Sequence, residues 1–154
     1  MENSQAPLLD RLIDEDPGTS GDSAQQRLLS ARQIKALVVR DLENLLNSRR
    51  EITPIPDAFK AIDQSVVVYG LKDYTAESPN DPVALQMIRK DVEATIDKFE
   101  PRLKNVTVQL VTGDESERKL SFRVSGLLVV DPIREPVTFD TIFDPSRKEY
   151  VISR

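Results

Sequence analysis

The chain has no cysteine and no histidine among its 154 residues. Without cysteine there is no disulfide, no thiol nucleophile and no thiolate metal site. Without histidine it lacks the commonest general base at neutral pH and the commonest zinc ligand. Tryptophan is also absent, and aromatic residues make up only 5%, a poor composition for stacking sugars. No Gly-rich phosphate loop occurs. The net charge of −5 argues against a nucleic-acid surface. No apolar run approaches the ~20 residues that span a bilayer, and the first residues lack the basic-then-apolar order of a signal peptide. These absences predict a soluble cytoplasmic protein with no cofactor, no metal and no direct membrane insertion. The length is enough for one domain with its own core.

What is present is organised around the stretch from Asp81 to Leu110. Asp81 suits an N-cap and Pro82 the first helical position. Leu85, Ile88, Val92, Ile96 and Phe99 recur at helical spacing and make one apolar stripe. Pro101 pushes Glu100 out of the α region, so the helix should stop near Phe99. Val106, Val108 and Leu110 then alternate with Thr107 and Gln109 as a half-buried strand. A second helix is predicted from Ser30 to Arg50. Ser30 and Gln33 fit a capping box, and Ile34, Leu37, Val38, Leu42, Leu45 and Leu46 supply its stripe. Arg49 and Arg50 suit a solvated C-terminal end.

Around these helices the signals are weaker. Leu8, Leu9, Leu12 and Ile13 share one face of a short predicted helix, followed by Pro17-Gly18 and a linker-like run from Thr19 to Ser23. The apolar face of that helix needs a surface, either the chain's own domain or a groove on a partner; with the linker, residues 1–23 read as a docking segment and linker, and residues 24–154 as the domain. Val66-Val67-Val68 fits either a short helix before Gly70 or a strand. Beyond Leu110 the pattern is β: Leu120, Phe122, Val124, Leu128 and Val130 should face the helices, and Gly126 marks a bulge or a close backbone approach. A turn is predicted from Asp131-Pro132 to Glu135-Pro136, then strands holding Val137, Phe139 and Phe143, and Glu149 to Ile152. The expected class is α+β: an antiparallel meander of three to four strands packed against two long helices and one or two short ones. The short final strand is expected near an edge, where the main chain at Val151 could pair with a partner's strand.

The candidate chemistry is thin. Glu100 could serve as the acid of a two-carboxylate glycosidase. However, Arg102 lies two residues away, and a cation favours the charged carboxylate, whereas a general acid must keep its proton. On the residues alone, Glu100-Pro101-Arg102 is a rigid corner carrying an exposed ion pair that contributes ~0–1 kcal/mol.

Four segments in order, LLDRLIDEDP (8–17), ARQIKALVVRDLENLLNSRR (31–50), VVVYGLKDYT (66–75) and DVEATIDKFEPRLKNVTV (91–108), resemble the TssE family. That family is a baseplate component of type VI secretion, and its fold family includes the baseplate wedge protein of contractile phage tails. The resemblance implies a non-enzymatic adaptor. Its helical side and the Glu100, Pro101 and Arg102 corner would attach to wedge proteins (TssF, TssG and TssK-like). Its sheet would resemble the interlocking β-region of the sheath and start polymerisation of TssB and TssC-like subunits. Two alternatives from other classes are a lysozyme-like cell-wall hydrolase and a generic α+β protein-binding module.

Overall fold

The computed structural model describes residues 3–8, 10–12, 28–51, 58–59, 61–74, 81–112, 120–144 and 149–153. Helix α1 spans Ala31–Asn47 and opens on the expected capping box. The Gln33 amide donates to Ser30 Oγ at 3.4 Å, and the Ser30 amide donates to Gln33 Oε1 at 3.0 Å. It ends at Asn47 rather than Arg50, because the chain beyond it turns extended and pairs with a distant segment. Leu71 N donates to Ser48 O at 2.9 Å, and Arg50 N donates to Leu71 O at 3.0 Å. Gly70 makes this approach possible: its φ is +102°, and a Cβ there would lie 2.5 Å from Ser48 O. Arg49 does cap the helix end, donating to Leu46 O at 2.9 Å. Arg50 is no solvated end, since its guanidinium pairs with Asp91 on the second helix.

That second helix, α2, spans Pro82–Phe99, with Asp81 Oδ1 accepting from Val83 N at 2.9 Å. Between the helices, Ile62–Gln64 and Val66–Val68 are short 3₁₀ turns, so the valine run is helical and not a strand. Val66 and Val67 stand exposed.

The C-terminal half is a four-stranded antiparallel meander in sequence order: β3 (Leu103–Thr112), β4 (Leu120–Val130), β5 (Ile133–Asp144) and β6 (Glu149–Ser153). Ahead of it in the chain, β1 (Asn3–Gln5) and β2 (Leu28–Ser30) form a two-stranded antiparallel sheet that no local pattern predicts. The turn between β4 and β5 is only Asp131-Pro132, joined by a cis peptide. Glu135 and Pro136 belong to the strand, because Ile133 is already buried in the core. One face of the large sheet, with Val106, Val108, Phe122, Val124, Leu128, Val137, Phe139 and Ile152, packs against Ile34, Val38, Leu42 and Leu46 of α1 and Ile88, Val92 and Ile96 of α2. The opposite face is open and carries an exposed cross-strand pair, Arg123–Asp140, at 2.6 Å.

Both readings of Gly126 hold at once. The register shifts between Lys104 and Thr107, so two residues of β3, Asn105 and Val106, oppose Gly126 alone. Asn105 takes φ +53°, the left-handed conformation that short polar side chains tolerate. A Cβ on Gly126 would meet Lys104 O at 3.2 Å.

The N-terminal residues differ most from expectation. Residues 8 and 10–12 form a turn rather than a helix, with Arg11 N donating to Pro7 O at 3.1 Å. Ser4 is buried and its hydroxyl donates to Asp131 O at 2.6 Å. Leu9, Ile13 and the Thr19 to Ser23 run lie outside the described residues.

The two constrained glycines should respond unequally to alanine. Gly70→Ala combines a positive φ with a backbone clash and should lose about 1–3 kcal/mol or more. Gly126→Ala meets one tight but relievable contact and should lose clearly less. Urea denaturation of both variants checks this ordering, and equal losses would mean that the Ser48–Leu71 pairing tolerates displacement.

Candidate functional site

The corner where α2 becomes β3 is built from local rules and then locked by charge. Glu100 ends the helix, its amide donating to Ile96 O at 2.8 Å, and its own carbonyl accepts from Leu103 N at 3.1 Å. Pro101 is exposed at the tip. Arg102 folds back: Nε donates to Glu100 Oε1 at 2.6 Å, and Nη2 bonds both Glu100 Oε2 and Asp41 Oδ2 of α1, the latter at 2.6 Å. Its carbonyl accepts from Val129 N at 2.8 Å, anchoring the turn to β4.

This pair is not an exposed one. Glu100 is only 3% exposed, and the Arg102 side chain 17%. Burial works against the charge on Arg102, but the hydrogen bonds and charges of Glu100 and then Asp41 outweigh it, so its pKa is held above the ordinary arginine value. The chain of charges continues outward. Asp41 also accepts from Arg40, and Arg40 Nη1 donates to Asp10 at 2.7 Å. Those hydrogen bonds from Arg40 to Asp10 and Asp41 raise the Arg40 pKa as well. Burial, then the charges of Asp41 and Glu100, push the Tyr69 phenol up, and Tyr69 stands edge-on to Phe99 at 5.2 Å. Together these residues and Pro7, Leu8, Ile34, Leu45 and Val130 line an open groove of about 590 Å³.

The sheet edges form the second feature. Sheet order leaves β3 and β6 at the margins. Neither is bare. On β6, Asn47 Oδ1 accepts from Tyr150 N at 2.7 Å and Asn47 Nδ2 donates to Tyr150 O at 2.9 Å. Glu43 Oε1 accepts from Ile152 N at 2.9 Å. On β3, Glu93 of α2 accepts from Val108 N at 3.0 Å. Since Tyr150 and Ile152 turn their amides outward, strand alternation turns the Val151 amide inward, towards its register partner Ile142.

The structure thus brings Glu100 and Arg102 together with Asp41, and sets Leu8 at the rim of the same groove. Leu8 and Leu12 are strongly exposed, at 64% and 72%. Val151 lies apart, its side chain on the open face of the sheet. Asp41, Arg40, Glu43, Asn47 and Tyr150 escaped the sequence reading. One signal was available: Glu43 and Asn47 flank the apolar stripe one turn apart.

Arg102 Nη2 sits between the two carboxylates, where a hydrolase would need its substrate oxygen and its water. Among the described residues no group of acidic side chains is placed to hold a metal ion, and no helix is long and apolar enough to cross a membrane. A charge-linked, grooved corner and side-chain-covered sheet edges characterise this α+β module. A family model described as baseplate wedge protein gp25 matches residues 32–133. The match takes in more than half of the chain, which belongs to that family. Among solved structures the chain is similar to one from "The baseplate complex from the type VI secretion system", with 17% identity over 72% of this chain and 94% of that one, and a TM-score of 0.48. No curated protein matches.

Arg102→Ala should lose about 3 kcal/mol, the lower end for stripping one partner from a buried pair, because the buried Glu100 carboxylate loses its guanidinium and retains the backbone amide of position 102, at 3.2 Å, as a donor. Glu100→Gln combined with Arg102→Met removes the stranded charge and should recover much of that loss. Denaturation of both variants tests this; a single-variant loss under about 1 kcal/mol would restore the exposed-pair reading.

Proposed function

We propose that this chain is a non-enzymatic structural subunit in the baseplate of a cytoplasmic contractile injection machine of the type VI secretion kind. It joins the baseplate wedge to the sheath and starts sheath polymerisation through β-strand pairing. The observation that carries this reading is the family match over residues 32–133, which runs through α1, the corner and β4. The geometry supports a division of labour. The groove side, with Pro101 exposed beside Arg102, Leu8 and Leu12, faces TssF, TssG or TssK-like wedge proteins. Residues 1–23 take part in that docking. The sheet, on the far side of the core, meets TssB and TssC-like sheath subunits. Glu100 contributes by fixing Arg102 rather than by touching the partner, since its carboxylate oxygens are both engaged within the chain.

Leu8→Asp with Leu12→Asp should reduce capture of wedge proteins at least tenfold, in line with loss of apolar anchors, while leaving the melting temperature within a few degrees. Pull-down with wedge and sheath proteins in separate arms measures it. Unchanged wedge capture by the folded variant would remove the N-terminal residues from the interface. Clearing of a peptidoglycan suspension by the purified chain would instead reinstate the hydrolase.

A further inference from the structure

The outer edge of β6 carries a cover whose shape is that of a missing strand. In an antiparallel ladder a hydrogen-bonded residue pair exchanges an N–H and a C=O in both directions. The Asn47 amide makes that same exchange with Tyr150, accepting at 2.7 Å and donating at 2.9 Å. One helical turn earlier, Glu43 accepts the next outward amide, Ile152 N, at 2.9 Å. The spacings match. Four helical residues advance about 6 Å and two strand residues about 6.7 Å, so positions 43 and 47 of α1 fall opposite 152 and 150. The β3 edge has less: Val108 is held by Glu93, and Arg89 Nη1 lies 3.5 Å from Val108 O.

We propose that Glu43 and Asn47 form a displaceable cover on the β6 edge, occupying its outward amides until an extended strand of a partner chain replaces them. This rests on the strand-pairing reading above and adds how the edge is kept closed beforehand. Unpaired edges invite indiscriminate pairing, and Glu43 and Asn47 hold this one through their side chains where α1 lies along β6. An incoming backbone returns the two Asn47 bonds and the Glu43 bond one for one, so the gain must come from side chains. Ile142 and Val151 supply it, as an exposed cross-strand apolar pair beside that edge, 48% and 37% accessible. The fitting partner is therefore an extended segment with an apolar residue opposite Val151.

The test is Glu43→Ala with Asn47→Ala in the full chain, with retained folding shown by circular dichroism. The Tyr150 and Ile152 amides should exchange hydrogen about tenfold faster or more, while the inward Val151 amide changes less. Sedimentation should show concentration-dependent self-association, a second copy taking the vacant edge. Glu43→Gln keeps the acceptor and should stay near the parent. Unchanged exchange, or an equal rise across the whole sheet, overturns the cover. Seeding of purified sheath subunits from the same secretion system is read separately and should begin sooner. Faster edge exchange with self-association but unaltered seeding supports the cover and sinks sheath initiation at β6.

Discussion

The guanidinium of Arg102 is the junction on which the two halves of the molecule depend. It reaches the end of α2 through Glu100 and the middle of α1 through Asp41, while the backbone carbonyl of the same residue holds β4. The apolar core beneath could be satisfied by many small slides of helix over sheet, because burial is non-directional. A planar fork bonded to two carboxylates on different elements allows few of them. Such a pair is weak evidence for extra stability, since desolvation offsets much of its attraction. Its role here is positional: it fixes the angle at which a long helix hands the chain to the sheet, and it places Pro101 at the apex. Arg50 with Asp91 ties the extended segment after α1 to α2 in the same way.

How much of this was legible follows the range of the interactions. Ser30 with Gln33, Asp81 with Pro82, and the stop at Pro101 are settled within a few residues, and the structure has all three. The alternation of Val106, Val108, Phe122 and Val124 likewise points inward. The failures are long-range. Arg50 looked like a helix-end charge because Asp91 is 41 positions away. The corner ion pair looked exposed because Asp41, 61 residues before Arg102, could not be placed beside it. The β1–β2 pairing and the Ser4 bond to Asp131 join the first residues to partners that no local pattern marks. The turn at Asp131 was extended too far because Pro136 suggested a break, yet proline is tolerated in a strand wherever its missing amide is not needed.

The candidate site was half visible for the same reason. A tripeptide at a helix end can be seen in a sequence; a groove made from the N-terminal arm, α1, Tyr69 and the corner cannot. Edge protection was equally hidden. The final strand looked unprotected because no nearby residue marks a cover, but what shields it, Glu43 and Asn47, comes more than 100 residues earlier.

The bulge at Asn105 has a consequence for how β3 encodes its faces. Leu103 is buried at an odd position, while Val106 and Val108 are buried at even ones. Two pleat phases are spliced within one strand, and the extra residue opposite Gly126 is the splice. Lys104, which a single unbroken phase through Val106 would turn inward, is exposed instead. The strand is thus read like a message with a frame change in it: replacing Asn105 alters one letter, but deleting it would put the corner and the core out of frame with each other.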